Sequence, residues 1–268
     1  MNPTLKIETV KTSAGDEVSF CPERGGIITS IKLKGKELLY LDESTFRNIA
    51  EHVRGGVPIL FPNSGPIESI KFPCLKQHGL ARLSSKWSLG KKDKNGFTEE
   101  LKADDDTKKF FPYDFKLSID CKFEENGSFT LTQSVENLEL EKEMPISMGL
   151  HPYFKVSDIA KKNIKFNFDG KNLTEDQFET WMKGGSVSID NPKTRNGDAS
   201  SEVSIPSMGT LEINASPEYK KIKIWSLPEK DFICIEPVMR DDGGLVNDPQ
   251  NIKPKETFSA NVNFSLKE

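Results

Sequence analysis

The 268-residue chain is short of cysteine, of histidine, of helical signals and of long apolar runs, and each shortage closes off a class of protein. Its four cysteines, Cys21, Cys74, Cys121 and Cys234, are scattered and form no CxxC pair. Cys121 and Cys234 fall inside strand-like runs, where cysteine behaves as a small buried hydrophobe. This pattern argues against a disulfide framework and points to a reducing, cytoplasmic setting. No apolar stretch approaches the ~20 residues of a membrane span. Residues Met1 to Lys11 alternate polar and apolar side chains, without the continuous apolar segment of a signal peptide. Basic charge is not in excess either: a net charge of -4 leaves no footprint for nucleic acid. The acidic, polar surface this implies gives no reason for a large obligate interface, and a monomer is expected.

Helical signals are limited to two short stretches. Thr45 to Val53 has room for one turn or two. Thr174 to Met182 reads as a short helix with Thr174 as N-cap and Asp176 and Gln177 in its first turn. Alternation with period two fills most of the remainder. Phe115, Leu117, Ile119, Cys121 and Phe123 alternate with polar residues, Glu124 to Gly127 supplies a turn, and Phe129, Leu131 and Val135 alternate again. The same pattern runs through Ile27 to Leu33, Glu37 to Leu41, Ile164 to Phe168, Leu211 to Ala215, Ile222 to Ile224 and Phe258 to Leu266. Lys91 to Lys109, dense in charge, reads as an exposed hairpin with Asn95-Gly96 at its tip. Strands without alternating helices imply an all-β fold, a large antiparallel β-sandwich. There is no linker, internal repeat or low-complexity segment, so residues 1–268 are expected to form a single domain.

The stretch from Arg54 to Arg82 breaks the pattern. Arg54-Gly55-Gly56 permits close backbone approach. Pro58 and Pro62 bracket an apolar run too short for a helix, which reads as a buried or edge strand leading into the turn residues Asn63 to Pro66. Polar groups on such a connection are better placed for function than those on a solvated face. Three histidines are present. His52 sits in a polar stretch and reads as surface or structural. His78, in Gln77-His78-Gly79-Leu80-Ala81-Arg82, and His151, in Gly149-Leu150-His151-Pro152-Tyr153-Phe154, are flanked by glycine and proline that free the backbone from regular pairing. Glu236 interrupts the apolar run Phe232 to Met239. It either faces outward on an edge strand beside Pro237, or is a carboxylate held in a partly dry pocket, where lost solvation raises its proton affinity.

Four segments taken in order, RGGVPILFP, KQHGLAR, GLHPYF and FICIEP, resemble the aldose 1-epimerase (galactose mutarotase) superfamily, near its glucose-6-phosphate 1-epimerase branch. The resemblance runs from Arg54 to Pro237. It implies a supersandwich with a sugar cleft on one sheet, His151 as general acid and Glu236 as general base. It also implies substrate contacts from Arg54, Gln77, His78 and Arg82, a small-molecule sugar or sugar phosphate as substrate, and no cofactor. Anomer exchange needs only a proton removed from the C1 hydroxyl and one delivered to the ring oxygen. Two departures stand out. Leu60-Phe61-Pro62-Asn63 replaces a tryptophan-rich stretch, and Leu80 replaces an aromatic residue. These leave free aldose and hexose 6-phosphate both open. A cleft aspartate is part of the family pattern; Asp169, Asp176 and Asp190 are the candidates, and spacing does not choose among them.

Two rival readings share these residues. A non-catalytic carbohydrate-binding protein would need Trp87, Trp181 and Trp225 on a platform, whereas Trp225, beside a buried-looking strand, reads as core. A metal enzyme would use His78, His151 and Glu236 as ligands, but no HxH or HExxH spacing supports it.

Overall fold

Alternating side chains demand two sides, one dry and one wet, and the chain meets this with stacked antiparallel sheets. The computed structural model describes residues 5–194, 197 and 199–267. The larger sheet has eight strands, in the order Lys165–Phe168, Ser201–Ile205, Gly209–Ala215, Thr257–Lys267, Phe129–Asn137, Phe115–Phe123, Gly96–Lys102 and Ser88–Lys92. A six-stranded sheet runs Val187–Asp190, Lys221–Trp225, Phe232–Val238, Gly149–Leu150 and Ile59–Leu60, with Tyr153–Lys155 also pairing to Phe232–Val238. A four-stranded sheet, from Glu8–Lys11 to Lys36–Glu37, flanks them and stacks Phe20 on Phe97 of the larger sheet.

The two larger sheets bury their inward rows against each other. Ile222, Ile224, Ile233 and Ile235 of one share a core with Leu117, Leu131, Val262 and Phe264 of the other. Each such side chain contributes roughly 1.5–3 kcal/mol when fully buried. Gln133 is a polar residue buried between the two sheets. Gln133 donates from Nε2 to the Leu60 carbonyl at 3.3 Å and accepts from the Tyr219 hydroxyl at 3.1 Å. It therefore fastens the short edge strand Ile59–Leu60 to the opposite sheet.

The hairpin Phe115–Phe123/Phe129–Asn137 is as expected from alternation. So is the helix Glu175–Met182, where Thr174 and Gln177 cap each other reciprocally. The other helix is shifted: it spans Glu43–Arg47, not Thr45 to Val53, because the Asp42 side chain accepts from Ser44 and Thr45 N–H and starts it earlier. The charged stretch after Ser88 does form a hairpin, but only one strand is exposed. Gly96–Lys102 buries every second side chain, including Glu99, and the chain then forms a short helix at Asp105–Lys108. Among the described residues, no helix is long and apolar enough to cross a membrane.

Candidate active site

The outer face of the six-stranded sheet carries an open cleft of about 510 Å³. Strand Phe232–Val238 lies in the sheet interior, with Lys221–Trp225 on one side and the 149–155 segment on the other. Ile233 and Ile235 face the core, so parity turns Glu236 and Val238 to the cleft. The edge-strand alternative for Glu236 thus does not hold, and its side chain is only 6% exposed. Pro237 is tolerated because the partner strand is interrupted at His151-Pro152 beside it.

That interruption also places the histidine. The register pairing Gly149 with Val238 and Tyr153 with Cys234 continues through the gap and sets His151 opposite Glu236. His151 N–H donates to the Pro58 carbonyl at 3.1 Å, which ties the break to the edge strand. His151 Nε2 then lies 3.5 Å from Glu236 Oε1. The imidazole stacks on Tyr153 at 4.7 Å and meets the edges of His78 and Trp225 at 5.2 and 5.9 Å. Its buried Nδ1 has no hydrogen-bond partner among the described residues. Burial, followed by the nearby His78 and Arg82, holds His151 well below the ordinary histidine range. Burial also pushes the Glu236 carboxyl up to about 8, against a smaller opposing pull from Lys223.

His78 comes from a loop that its own backbone strains. His78 and Gly79 both have positive φ, 69° and 67°. The loop is held by Leu80 N–H donating to the Phe61 carbonyl at 2.8 Å. Ser64 O accepts from His78 Nδ1, which leaves Nε2 as an acceptor. Burial lowers His78 to about 4, with Arg82 adding to the effect, so this ring is neutral near pH 7.

All six residues singled out in the sequence line this one cleft: Arg54, Gln77, His78, Arg82, His151 and Glu236. Among the described residues, no carboxylate ion-pairs with Arg54, Lys76 or Arg82. Arg82 reaches the Gln77 carbonyl at 3.4 Å, while its Nε is buried without a partner. His52 is exposed on the same rim.

None of the three candidate aspartates lines the cleft. Asp169 follows a strand with φ 54°, Asp176 lies in the first turn of the helix Glu175–Met182, and Asp190 pairs with Lys221 at 2.9 Å. The aspartate that does line it, among the described residues, is Asp242, ion-paired to Lys223. Trp225 is likewise not core; its strand parity turns it to the cleft, whereas Trp87 and Trp181 are buried. Tyr153, Lys223 and Lys76 are further lining residues missed from sequence. Lys223, Trp225 and Tyr153 had a signal, since each alternates with a residue of the core.

Metal-capable donors converge differently from the rival reading. Ligand atoms of His151, Cys234 and Glu236 lie within 4.8 Å of one another, and His78 is not in that set. Burial holds the Cys234 thiol well above its ordinary value.

Fold and site define a class: an antiparallel β-sandwich bearing a buried histidine–carboxylate pair on the floor of an open, cation-rimmed cleft. The model of the aldose 1-epimerase family matches residues 9–262, and the chain belongs to that family of isomerases. A protein of Escherichia coli K12 named "Putative glucose-6-phosphate 1-epimerase" is 33% identical over 174 residues, covering 59% of this chain and 55% of its own length. One of the same name from Salmonella typhimurium LT2 is 33% identical over 154 residues, covering 56% and 48%. The chain thus spans about half the length of the curated relatives it matches. Among solved structures, a protein of Synechocystis sp. PCC 6803 superposes with a TM-score of 0.83 at 25% identity, covering 98% of this chain and 96% of its own. A "galactose mutarotase related enzyme" of Lactobacillus acidophilus gives 0.74 at 20% identity, covering 98% of both, and shows the shared fold.

Proposed function

We propose that this cleft interconverts the α and β anomers of a hexose 6-phosphate by opening and closing the ring at C1, with His151 as general acid and Glu236 as general base. The observation that carries the reading is the 3.5 Å approach of His151 Nε2 to Glu236 Oε1 on the cleft floor. Ring opening needs one group to take the O1 proton and another to give one to the ring oxygen, and a pair holding one proton between them meets both demands. In the empty cleft that proton rests on Glu236, because burial favours the neutral form of both partners. The reactive form, with Glu236 ionised and His151 protonated, is its tautomer across the same short gap. Closure on the other face of the aldehyde exchanges the two duties and restores the pair.

The phosphate is assigned to the rim. Arg54, Lys76 and Arg82 are cations without carboxylate partners among the described residues. Guanidinium groups bind phosphate oxygens in a bidentate manner. The relatives named for glucose 6-phosphate support the same choice. His78 Nε2 would accept from a sugar hydroxyl, and Trp225 offers a ring face to the pyranose.

Anomer exchange followed by NMR tests this directly. Glucose 6-phosphate should exchange far faster with enzyme than without, and free glucose and galactose should not. Fast exchange of free sugars instead would remove the phosphate assignment. No enhancement with any sugar would leave a carbohydrate-binding protein.

A further inference from the structure

Glu236 is flanked on both sides of its strand, in one row. Lys223 is its register partner on Lys221–Trp225, and His151 stands opposite on the other side. Side chains directly opposite in antiparallel strands have Cβ atoms about 4.5–5.5 Å apart and interact. The Lys223 side chain is only 15% exposed, and its ammonium is held by Asp242, on the loop that follows Glu236's own strand. That loop is seated where it is because Gly65 packs against it: a Cβ on Gly65 would lie 2.3 Å from Asp242 Oδ1. Gly243 N–H adds a bond to the Pro66 carbonyl at 2.9 Å. Lys223 and Asp242 therefore form a built feature of the cleft wall.

Resting on the acid–base reading above, we propose that Lys223 and Asp242 are positioning residues for Glu236: opposed charges beside it that together fix where the proton of the His151–Glu236 pair rests. An ammonium stabilises the ionised carboxylate, and a neighbouring carboxylate opposes it. The two act on Glu236 in these opposite senses. Other groups facing it are His151 and Tyr153 from the 149–155 segment and Cys234 on its own strand, with His78 and Arg82 across the cleft. Tyr153 and Cys234 are held neutral by burial, so Lys223 and Asp242 are the charged pair beside the carboxylate that substitution can separate.

The test is the titration of the Glu236 carboxyl in the substrate-free protein, read by 13C NMR with labelled glutamate and assigned through Glu236→Gln. Lys223→Met should move the midpoint up and Asp242→Asn should move it down, each by about one unit. The double variant should fall between the two, and Lys223→Arg, which keeps the charge, should stay near wild type. Midpoints unmoved in both single variants, or moved in the same direction, would overturn the proposal. Circular dichroism at each pH confirms that the folded state is being titrated. Because the readout needs no turnover, an absence of anomer exchange would remove the functional reading and leave this result standing.

Discussion

His151 and Glu236 divide their labour through one proton, so replacing either should remove turnover and leave the cleft able to bind. Glu236→Gln and His151→Asn are each expected to lower kcat by roughly 10²–10⁴-fold with little change in KM. The pH profile follows from the same pair. Glu236, pushed up to about 8, holds the last proton of the pair, and losing it removes the acid. Anomer exchange should therefore fall above pH ~8. On the acid side it should persist below the ordinary histidine range, because burial keeps His151 from taking a second proton. A bell centred on an unperturbed histidine would contradict this. Arg82 should behave differently. Arg82→Met is expected to raise KM for glucose 6-phosphate by ~10–100-fold and leave kcat within a few-fold, in line with the loss of a charge-assisted contact. An equal loss with a free sugar would make the residue structural. Residues of this kind were legible where glycine and proline freed them from pairing, as at His78 and His151. Asp242 was not, because only the packing of its loop on Gly65 brings it to the cleft.

Short, irregular elements position the site, and these are what periodicity misses. Ile59–Leu60 and Gly149–Leu150 are two-residue strands too short to alternate; the first was legible only through the prolines that bracket it, and the second was not. The gap after Leu150 matters as much as any strand, since it sets His151 on the row of Glu236. The 76–82 loop is equally constrained. A Cβ on Gly79, at φ 67°, would lie 2.0 Å from the Phe61 carbonyl oxygen. Gly79→Ala must therefore push the loop off Phe61–Pro62 and carry His78 with it. The expected outcome is a loss of more than ~1 kcal/mol of stability and at least a tenfold loss of kcat/KM. Gly127→Ala supplies the control: φ is also positive, at 79°, but its turn is open. It should cost about 1 kcal/mol without touching activity. Thermal melts and anomer exchange on both variants distinguish local strain from loss of the loop's position.

At the scale of the whole molecule, alternation announced a sandwich but not the order of its strands, because parity tells a side chain which face it is on and not which neighbour it meets. Glu99 shows the consequence. It lies in a charged stretch that reads as solvated, yet strand Gly96–Lys102 turns it fully inward, with both carboxylate oxygens buried and without a partner among the described residues. Burial pushes its carboxyl from 4.5 to about 8. The folded protein therefore holds on Glu99 a proton that the unfolded chain has released throughout that window, and this group's contribution to stability falls as pH rises from about 4.5 to about 8. Glu236 contributes with the same sign. At pH 7 the penalty from Glu99 alone is on the order of 3 kcal/mol. Glu99→Gln, which cannot ionise, should raise stability at pH 7–8 by roughly that amount, change it little near pH 4.5, and flatten the dependence of Tm on pH. Part of this falling contribution should remain, owing to Glu236, and should go when Glu236→Gln is added, leaving the opposite contribution of His78, which is lowered to about 4 and so lets stability rise with pH up to the ordinary histidine range. Urea titrations of the wild type and both variants across pH 4.5–8.5 measure this. A Glu99→Gln protein with an unchanged pH slope would show that Glu99 finds a partner or water inside the sandwich.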